Sequence, residues 1–224
     1  MSLKPYQQNF ITFLLASDVL KFGDFTTKSG RKTPYFINAG NFDTGRKIAA
    51  LGMFYAEHIQ ESGFGAVDII FGPAYKGVPL AVAAATALTE RSGRDIGFSF
   101  DRKEVKDHGE GGFLVGKNIQ AGDKVVIVED VITAGTTLKK MTPILRDNTK
   151  ANLLGVILAV DRCEKGAGEK AALNEVEESL NLAIKPIVNI HGIVEYLSSN
   201  NESGIKLTEQ QLDKIQAYLE EYGA

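Results

Sequence analysis

Two carboxylates stand side by side at Glu129 and Asp130, and a small, Gly- and Thr-rich turn follows: Val131, Ile132, Thr133, Ala134, Gly135, Thr136, Thr137. A turn of this composition aims several backbone N–H groups at one point, beside the positive end of the helix that begins at about Leu138. That arrangement suits a phosphate. Adjacent carboxylates suit vicinal hydroxyls, which donate to them. A ligand that carries both groups, such as ribose 5-phosphate, satisfies the whole constellation. What positions it is also written in the chain: Val125, Val126, Ile127 and Val128 are β-branched and read as a short buried strand ending at the carboxylates. In an open parallel sheet, ligands collect outside the carboxyl ends of the strands. The nucleotide-binding alternatives fail on spacing, because the chain has no G-x-x-x-x-G-K-[ST] and no strand followed by G-x-G-x-x-G.

Three further groups of residues have chemical potential. Phe71-Gly72-Pro73-Ala74-Tyr75-Lys76-Gly77 ends a strand, breaks it and opens a helix, so it offers a second anion site at a helix start. The segment Asp101–Asn118, DRKEVKDHGEGGFLVGKN, is too polar for a core element and too long for an ordinary connection. It packs Arg102, Lys103, Lys106 and His108 among glycines, a pattern that favours a lid closing over an anion. Asp161-Arg162-Cys163 follows a buried strand, where a guanidinium fork can grip a carboxylate. Cys163 reads as a small buried residue. The three histidines are scattered with no metal-ligand spacing, and neither His58 nor His191 receives a role.

The elements around these sites alternate. Pro5 to about Ala16 reads as an amphipathic helix, and Phe22 to Ile37 as two short strands joined by a turn at Lys28-Ser29-Gly30-Arg31. Helices are expected over 44–62, 77–92, 138–148 and 169–180, and strands over 67–71, 96–100, 124–128, 153–160 and 183–190. His191 falls at the end of the last strand. Thr208 and Gln211 have capping-box spacing ahead of a final helix that carries Leu212, Ile215 and Leu219. Alternating βα units imply an α/β, doubly wound parallel sheet. The expected organisation is a single unit over 1–224, with a small hood at about 1–40 and the lid at about 101–118. The chain has 224 residues, 44% hydrophobic and 24% charged, ordinary for a globular protein. A net charge of −3 provides no global field for nucleic acid, and no run approaches the ~18 apolar residues of a membrane span. A single cysteine fits a reducing cytoplasm.

The strand, two acids, two apolar residues and Thr-Ala-Gly-Thr resemble the phosphoribosyl-diphosphate (PRPP) signature of type I phosphoribosyltransferases. With FTTKSGRKTPYFINAG (25–40), FGPAYKGVPLA (71–81) and DRKEVKDHGEGG (101–112) in order, nearly the whole chain resembles the orotate phosphoribosyltransferases of that group. The resemblance implies a homodimer that joins orotate to PRPP, with Mg²⁺ carried mainly by PRPP, in de novo pyrimidine (UMP) biosynthesis. It places the 5′-phosphate in the turn Val131–Thr137 and the ribose hydroxyls on Glu129 and Asp130, with Asp130 also beside the reacting carbon. Pyrophosphate falls to the loop of Tyr75 and Lys76, where a cis peptide at Ala74–Tyr75 is expected. Lys28 touches PRPP, and Lys103 serves its own site. Arg102, Lys106 and His108 reach the partner's site, and Lys106 and His108 act there as catalytic groups. Tyr35 and Phe36 bracket orotate through ring packing and backbone contacts, Thr133 touches it, and Arg162 holds its carboxylate. No residue is assigned to a metal. The family more often has two aspartates at Glu129-Asp130 and a Phe at Tyr35. Two alternatives stay open: a transferase for another base, and a PRPP-sensing regulatory module.

Overall fold

The computed structural model describes residues 3–27, 30–106, 112–199, 201 and 203–224, with the backbone alone at 103–106. Lys28 and His108, and the side chains of Lys103 and Lys106, lie outside the described residues.

The frame is a six-stranded sheet. Its strands are β3 (Ile69–Phe71), β4 (Gly97–Lys106), β5 (Gly112–Gly116), β6 (Lys124–Val131), β7 (Asn152–Asp161) and β8 (Ile184–Asn189), in the order β5-β4-β3-β6-β7-β8. All neighbours run parallel except the edge pair β4–β5, which is antiparallel. The expected loop over 101–118 is therefore in large part a hairpin: β4 runs on to Lys106 and β5 returns from Gly112. The sequence reading missed it because polar and glycine residues carry little strand propensity, whereas an edge strand needs only backbone pairing.

The central strand β6 shows why the sheet is covered on both faces. Val126 and Val128 point into one apolar cluster, and Val125 and Ile127 into the other, as the period of two requires. The first cluster is roofed by α1 (Pro5–Ala16), α2 (Gly45–Glu61), α3 (Gly77–Ser92) and α6 (Ile190–Ser198). The second is roofed by α4 (Thr136–Thr149) and α5 (Ala172–Leu180). Local signals set the helix starts. Thr44 caps α2 by accepting from Lys47 N–H (3.3 Å), and Pro5 occupies the first turn of α1, where no N–H is missed. His58 of α2 is a core residue bonded through Nδ1 to the Tyr6 hydroxyl at 2.7 Å. Burial pushes its pKa down to about 4.

Helix α6 is a correction. The strand expected over 183–190 stops at Asn189, which caps the helix by accepting from Gly192 N–H (2.8 Å), so His191 lies in a helix rather than at a strand end. Of the segment expected as a hood, about 1–40, α1 joins the main core, whereas β1 (Leu20–Thr26) and β2 (Lys32–Ile37) form a separate two-stranded antiparallel sheet with the final helix α7 (Glu209–Tyr222) packed against it. Helix α7 starts on the expected capping box, Thr208 with Gln211. Among the described residues, no helix is long and apolar enough to cross a membrane.

Candidate active site

Strands β3 and β6 are neighbours, so their carboxyl ends open onto one space. A cleft of about 480 Å³ lies there, lined by Pro73, Ala74, Tyr75 and Lys76 on one side and Glu129, Asp130 and the following turn on the other. The two loops that the sequence marked as separate anion sites thus share a single cleft.

The β3 loop is held tightly. A Cβ on Gly72 would sit 1.9 Å from the Gly77 carbonyl oxygen, so only glycine lets the strand end pass so close to the start of α3. The Ala74–Tyr75 peptide is cis, as expected. Asp101, at the base of the hairpin, accepts from Ala74 N–H through Oδ1 at 2.6 Å and ties β4 to the loop. The sequence reading gave Asp101 no such role, and nothing local signals a contact across that separation.

On the opposite side, Gly135 adopts a left-handed conformation (φ 64°) and α4 begins at Thr136, two residues earlier than expected. The first N–H groups of a helix have no partner within it, and here they belong to residues of the cleft wall: Thr136, Thr137 and Leu138. Val131, Ile132, Thr133 and Gly135 complete the turn's contribution, whereas Ala134 lines the neighbouring hollow. Glu129 and Asp130 are both buried. Asp130 Oδ1 accepts from Val131 N–H (2.8 Å), and its Oδ2 pairs with Lys76 Nζ (2.8 Å), a side chain 67% exposed and free to turn toward a ligand. The Tyr55 hydroxyl donates to the Glu129 carbonyl (2.7 Å), anchoring the strand end from below. Burial, and next the charge of Asp130, push the Glu129 carboxyl well above the usual carboxylate range. Of the two buried carboxyls, Glu129 is thus the one whose ionised form the site disfavours, while Asp130 has Lys76 beside it.

Two hollows adjoin the cleft. One, of about 810 Å³, lies between the hairpin and α4 and is lined by Asp101, Arg102, Phe113, Thr136, Thr137 and Lys140 among others. Arg102 stands there with its Nε buried and unbonded among the described residues. Of the hairpin residues whose side chains are described, 97–102 and 112–116, none lines the 480 Å³ cleft itself. The other hollow, of about 270 Å³, meets the cleft at Ile132 and Thr133 and contains Arg31, Arg162 and Glu164.

Around this last hollow the expected residues separate. Arg162 is only 13% exposed, and its Nε and Nη2 both donate to Glu164 Oε1 (2.8 and 2.5 Å). The ring of Tyr35 lies under the guanidinium at 4.5 Å. That ring is 0% exposed and supports Arg162 from within the core, so of the contacts expected between Tyr35 and orotate its backbone, rather than its ring, is the part left to make them. Phe36, next along β2, faces outward, 38% exposed and stacked on Phe25. Cys163 is buried, and burial pushes its thiol up to about 12, which suits a packing residue.

Comparison with known proteins agrees with this layout. Residues 38–190 match the family model described as "Phosphoribosyl transferase domain". An orotate phosphoribosyltransferase of Escherichia coli is 48% identical over 221 residues, covering 99% of this chain and 100% of the relative. One from Clostridium beijerinckii is 45% identical over 223 residues, again 99% and 100%. The crystal structure of the Francisella tularensis orotate phosphoribosyltransferase superposes with a TM-score of 0.83 at 39% identity, covering 96% of this chain and 100% of that one. Identity of this order along the full length, together with a type I sheet and cleft, decides the matter: the chain belongs to the orotate phosphoribosyltransferase family.

Proposed function

We propose that this protein transfers the 5-phosphoribosyl group from PRPP to N1 of orotate, giving orotidine 5′-monophosphate and pyrophosphate in de novo pyrimidine biosynthesis. The observation that carries the reading is one cleft in which a phosphate turn, a buried carboxylate pair and a second anion loop meet. Family membership supplies the base.

In this reading the N–H groups of Val131–Thr137, with the Thr136 and Thr137 hydroxyls, hold the 5′-phosphate. Glu129 and Asp130 accept from the ribose hydroxyls. Their negative charge stands beside C1′, which becomes cationic as the bond to pyrophosphate loosens, so they favour the transition state over the ground state. Tyr75 and Lys76 receive the pyrophosphate. Arg162, across Thr133, holds the orotate carboxylate, the group that separates orotate from uracil, and Phe36 offers the exposed ring. Orotate N1 displaces pyrophosphate directly, and no covalent enzyme intermediate is required.

Mg²⁺ fits this donor set as a passenger of PRPP. Glu129 and Asp130 are hard oxygen donors, and among the described residues no three His, Cys, Asp or Glu side chains gather into a protein cage. Bound there, the ion would neutralise pyrophosphate charge and accept the lone pairs of the ribose hydroxyls. Lys28 and Lys103 serve their own site in this scheme. Arg102, Lys106 and His108 serve the partner's site in a homodimer, with Lys106 and His108 stabilising and protonating the leaving pyrophosphate. A cytoplasmic setting accords with the single cysteine.

The test is direct. With PRPP and Mg²⁺ present, orotate absorbance should fall with time, and uracil should not be consumed at a comparable rate. Arg162→Ala should raise the KM for orotate about tenfold or more, the loss of a charge-assisted pair worth roughly 1.5–3 kcal/mol, with little change in the KM for PRPP. Equal use of uracil would show a transferase for another base, and PRPP binding without turnover would show a regulatory module.

A further inference from the structure

The residues that surround Arg162 come from three distant parts of the chain and converge on one carboxylate. Glu164 Oε1 accepts from Arg162 Nε and Nη2, from the Tyr35 hydroxyl (3.2 Å) and from the Tyr218 hydroxyl of α7 (2.8 Å). Its Oε2 pairs with Arg31 Nη2. Glu164 is 11% exposed, and a buried carboxylate with this many donors stays ionised: burial alone would push its pKa up, but the bonds from Arg162 and Tyr218 and the charge of Arg31 bring it below the usual carboxylate range.

The geometry of the guanidinium is then fully determined. Glu164 takes the edge formed by Nε and Nη2. Tyr35 takes one face, and Thr33 Oγ1 lies 3.5 Å from Nη2. What remains is the edge carrying Nη1. Two guanidinium groups on one carboxylate also leave the cluster with a net positive charge, which an entering carboxylate balances. Helix α7 closes the arrangement. Tyr218 packs edge-on against Tyr35, Arg31 lies over the rings of Tyr218 (5.6 Å) and Tyr222 (4.9 Å), and the segment around Glu164 is stitched to the end of α7. Lys165 N–H donates to the Tyr222 carbonyl (2.8 Å) and Ala224 N–H to the Cys163 carbonyl (3.0 Å).

We infer that Glu164, backed by Tyr218 of the C-terminal helix, is a positioning residue that holds Arg162 with one guanidinium edge turned to the base carboxylate, so that α7 is part of the orotate specificity apparatus. This rests on the reading of Arg162 as the residue that holds the orotate carboxylate. The bland competitor is that α7 and Glu164 only close the core.

Arg162→Ala, Glu164→Gln and Tyr218→Phe separate these readings when the KM for orotate, the KM for PRPP, kcat and the unfolding midpoint are measured on each full-length protein. Positioning requires Glu164→Gln to raise the KM for orotate about tenfold or more, and Tyr218→Phe by about threefold to fivefold, with the KM for PRPP within about twofold of the parent. If Arg162→Ala raises the orotate KM while both other variants leave it unchanged, the positioning role is overturned and the Arg162 reading stands. If Arg162→Ala itself leaves that KM unchanged, the Arg162 reading falls and takes this inference with it. A variant whose unfolding midpoint drops while both KM values stay at the parent's supports the purely structural competitor and overturns positioning. Should Glu164→Gln fail to fold, Tyr218→Phe, which removes one hydroxyl and keeps the ring, decides the question alone.

Discussion

Substituting Gly135 by Ala tests the phosphate turn at its tightest point. Gly135 holds φ 64°, ψ 20°, and a Cβ built on it would lie 2.4 Å from Val176 Cγ2 and 3.1 Å from Cγ1. The left-handed conformation costs a non-glycine residue about 1–2 kcal/mol. Carbon atoms rest at about 3.5–4.0 Å, so the turn and α5 must separate by roughly 1 Å, and overpacking of this kind costs about 1–3 kcal/mol. Val176 is buried and cannot swing into solvent. The expected loss of stability is therefore about 2–5 kcal/mol, read by urea unfolding. Because the strain falls on the turn that holds the 5′-phosphate, the KM for PRPP should rise at least about tenfold, equivalent to about 1.4 kcal/mol. Val176→Ala in the same chain removes the methyl contacts and leaves the dihedral cost. The double variant should then recover about 1–3 kcal/mol relative to the sum of the single changes. An unchanged KM for PRPP in folded Gly135→Ala would refute the placement of the phosphate. Strict additivity with Val176→Ala would refute the steric argument.

Two further expectations concern charge and assembly. The raised Glu129 carboxyl keeps its proton in the folded protein after the unfolded chain has lost its own, so its contribution to stability is complete below the ordinary value of 4.5 and is lost as pH rises through the raised value. Glu129→Gln has no such proton to lose. Its stability relative to the parent should increase from pH 5 to pH 9 by on the order of 1–3 kcal/mol, and a difference independent of pH in urea titrations would contradict the burial argument. For the shared site, Lys106→Ala homodimers and, at orotate well below the raised KM, Arg162→Ala homodimers should both turn over poorly, and exchange of their subunits should lift activity above both parents, since one site of the mixed dimer then has an intact orotate pocket and a borrowed lid. No recovery after verified exchange would confine the lid to its own subunit.

The chemistry of the cleft was legible because its signals are local. A run of β-branched residues, two acids and a small turn lie within thirteen consecutive positions, 125–137, and each part is specified by neighbours along the chain. The same holds for caps such as Thr208 with Gln211. Helix α6 was hidden because the apolar run across 183–197 has no period that separates a buried strand from a buried helix, although the Asn189 cap was present to be read.

Tyr35 and Phe36 mark the boundary most clearly. Alternation along a strand requires that consecutive side chains face opposite sides, so one of the two had to point inward. Nothing nearby says which. The answer came from α7, whose Tyr218 and Ile215 pack where Tyr35 points and leave Phe36 to the surface. Glu164 shows the same limit: its partners Arg31 and Tyr218 lie 133 and 54 residues away. Spacing along a chain encodes contacts within a turn of helix or a strand pair. The amino-acid sequence by itself therefore marked the end of β6, with its two acids and small turn, as the candidate site, while only the tertiary structure, by docking remote segments on one buried carboxylate, decided how Arg162 is held.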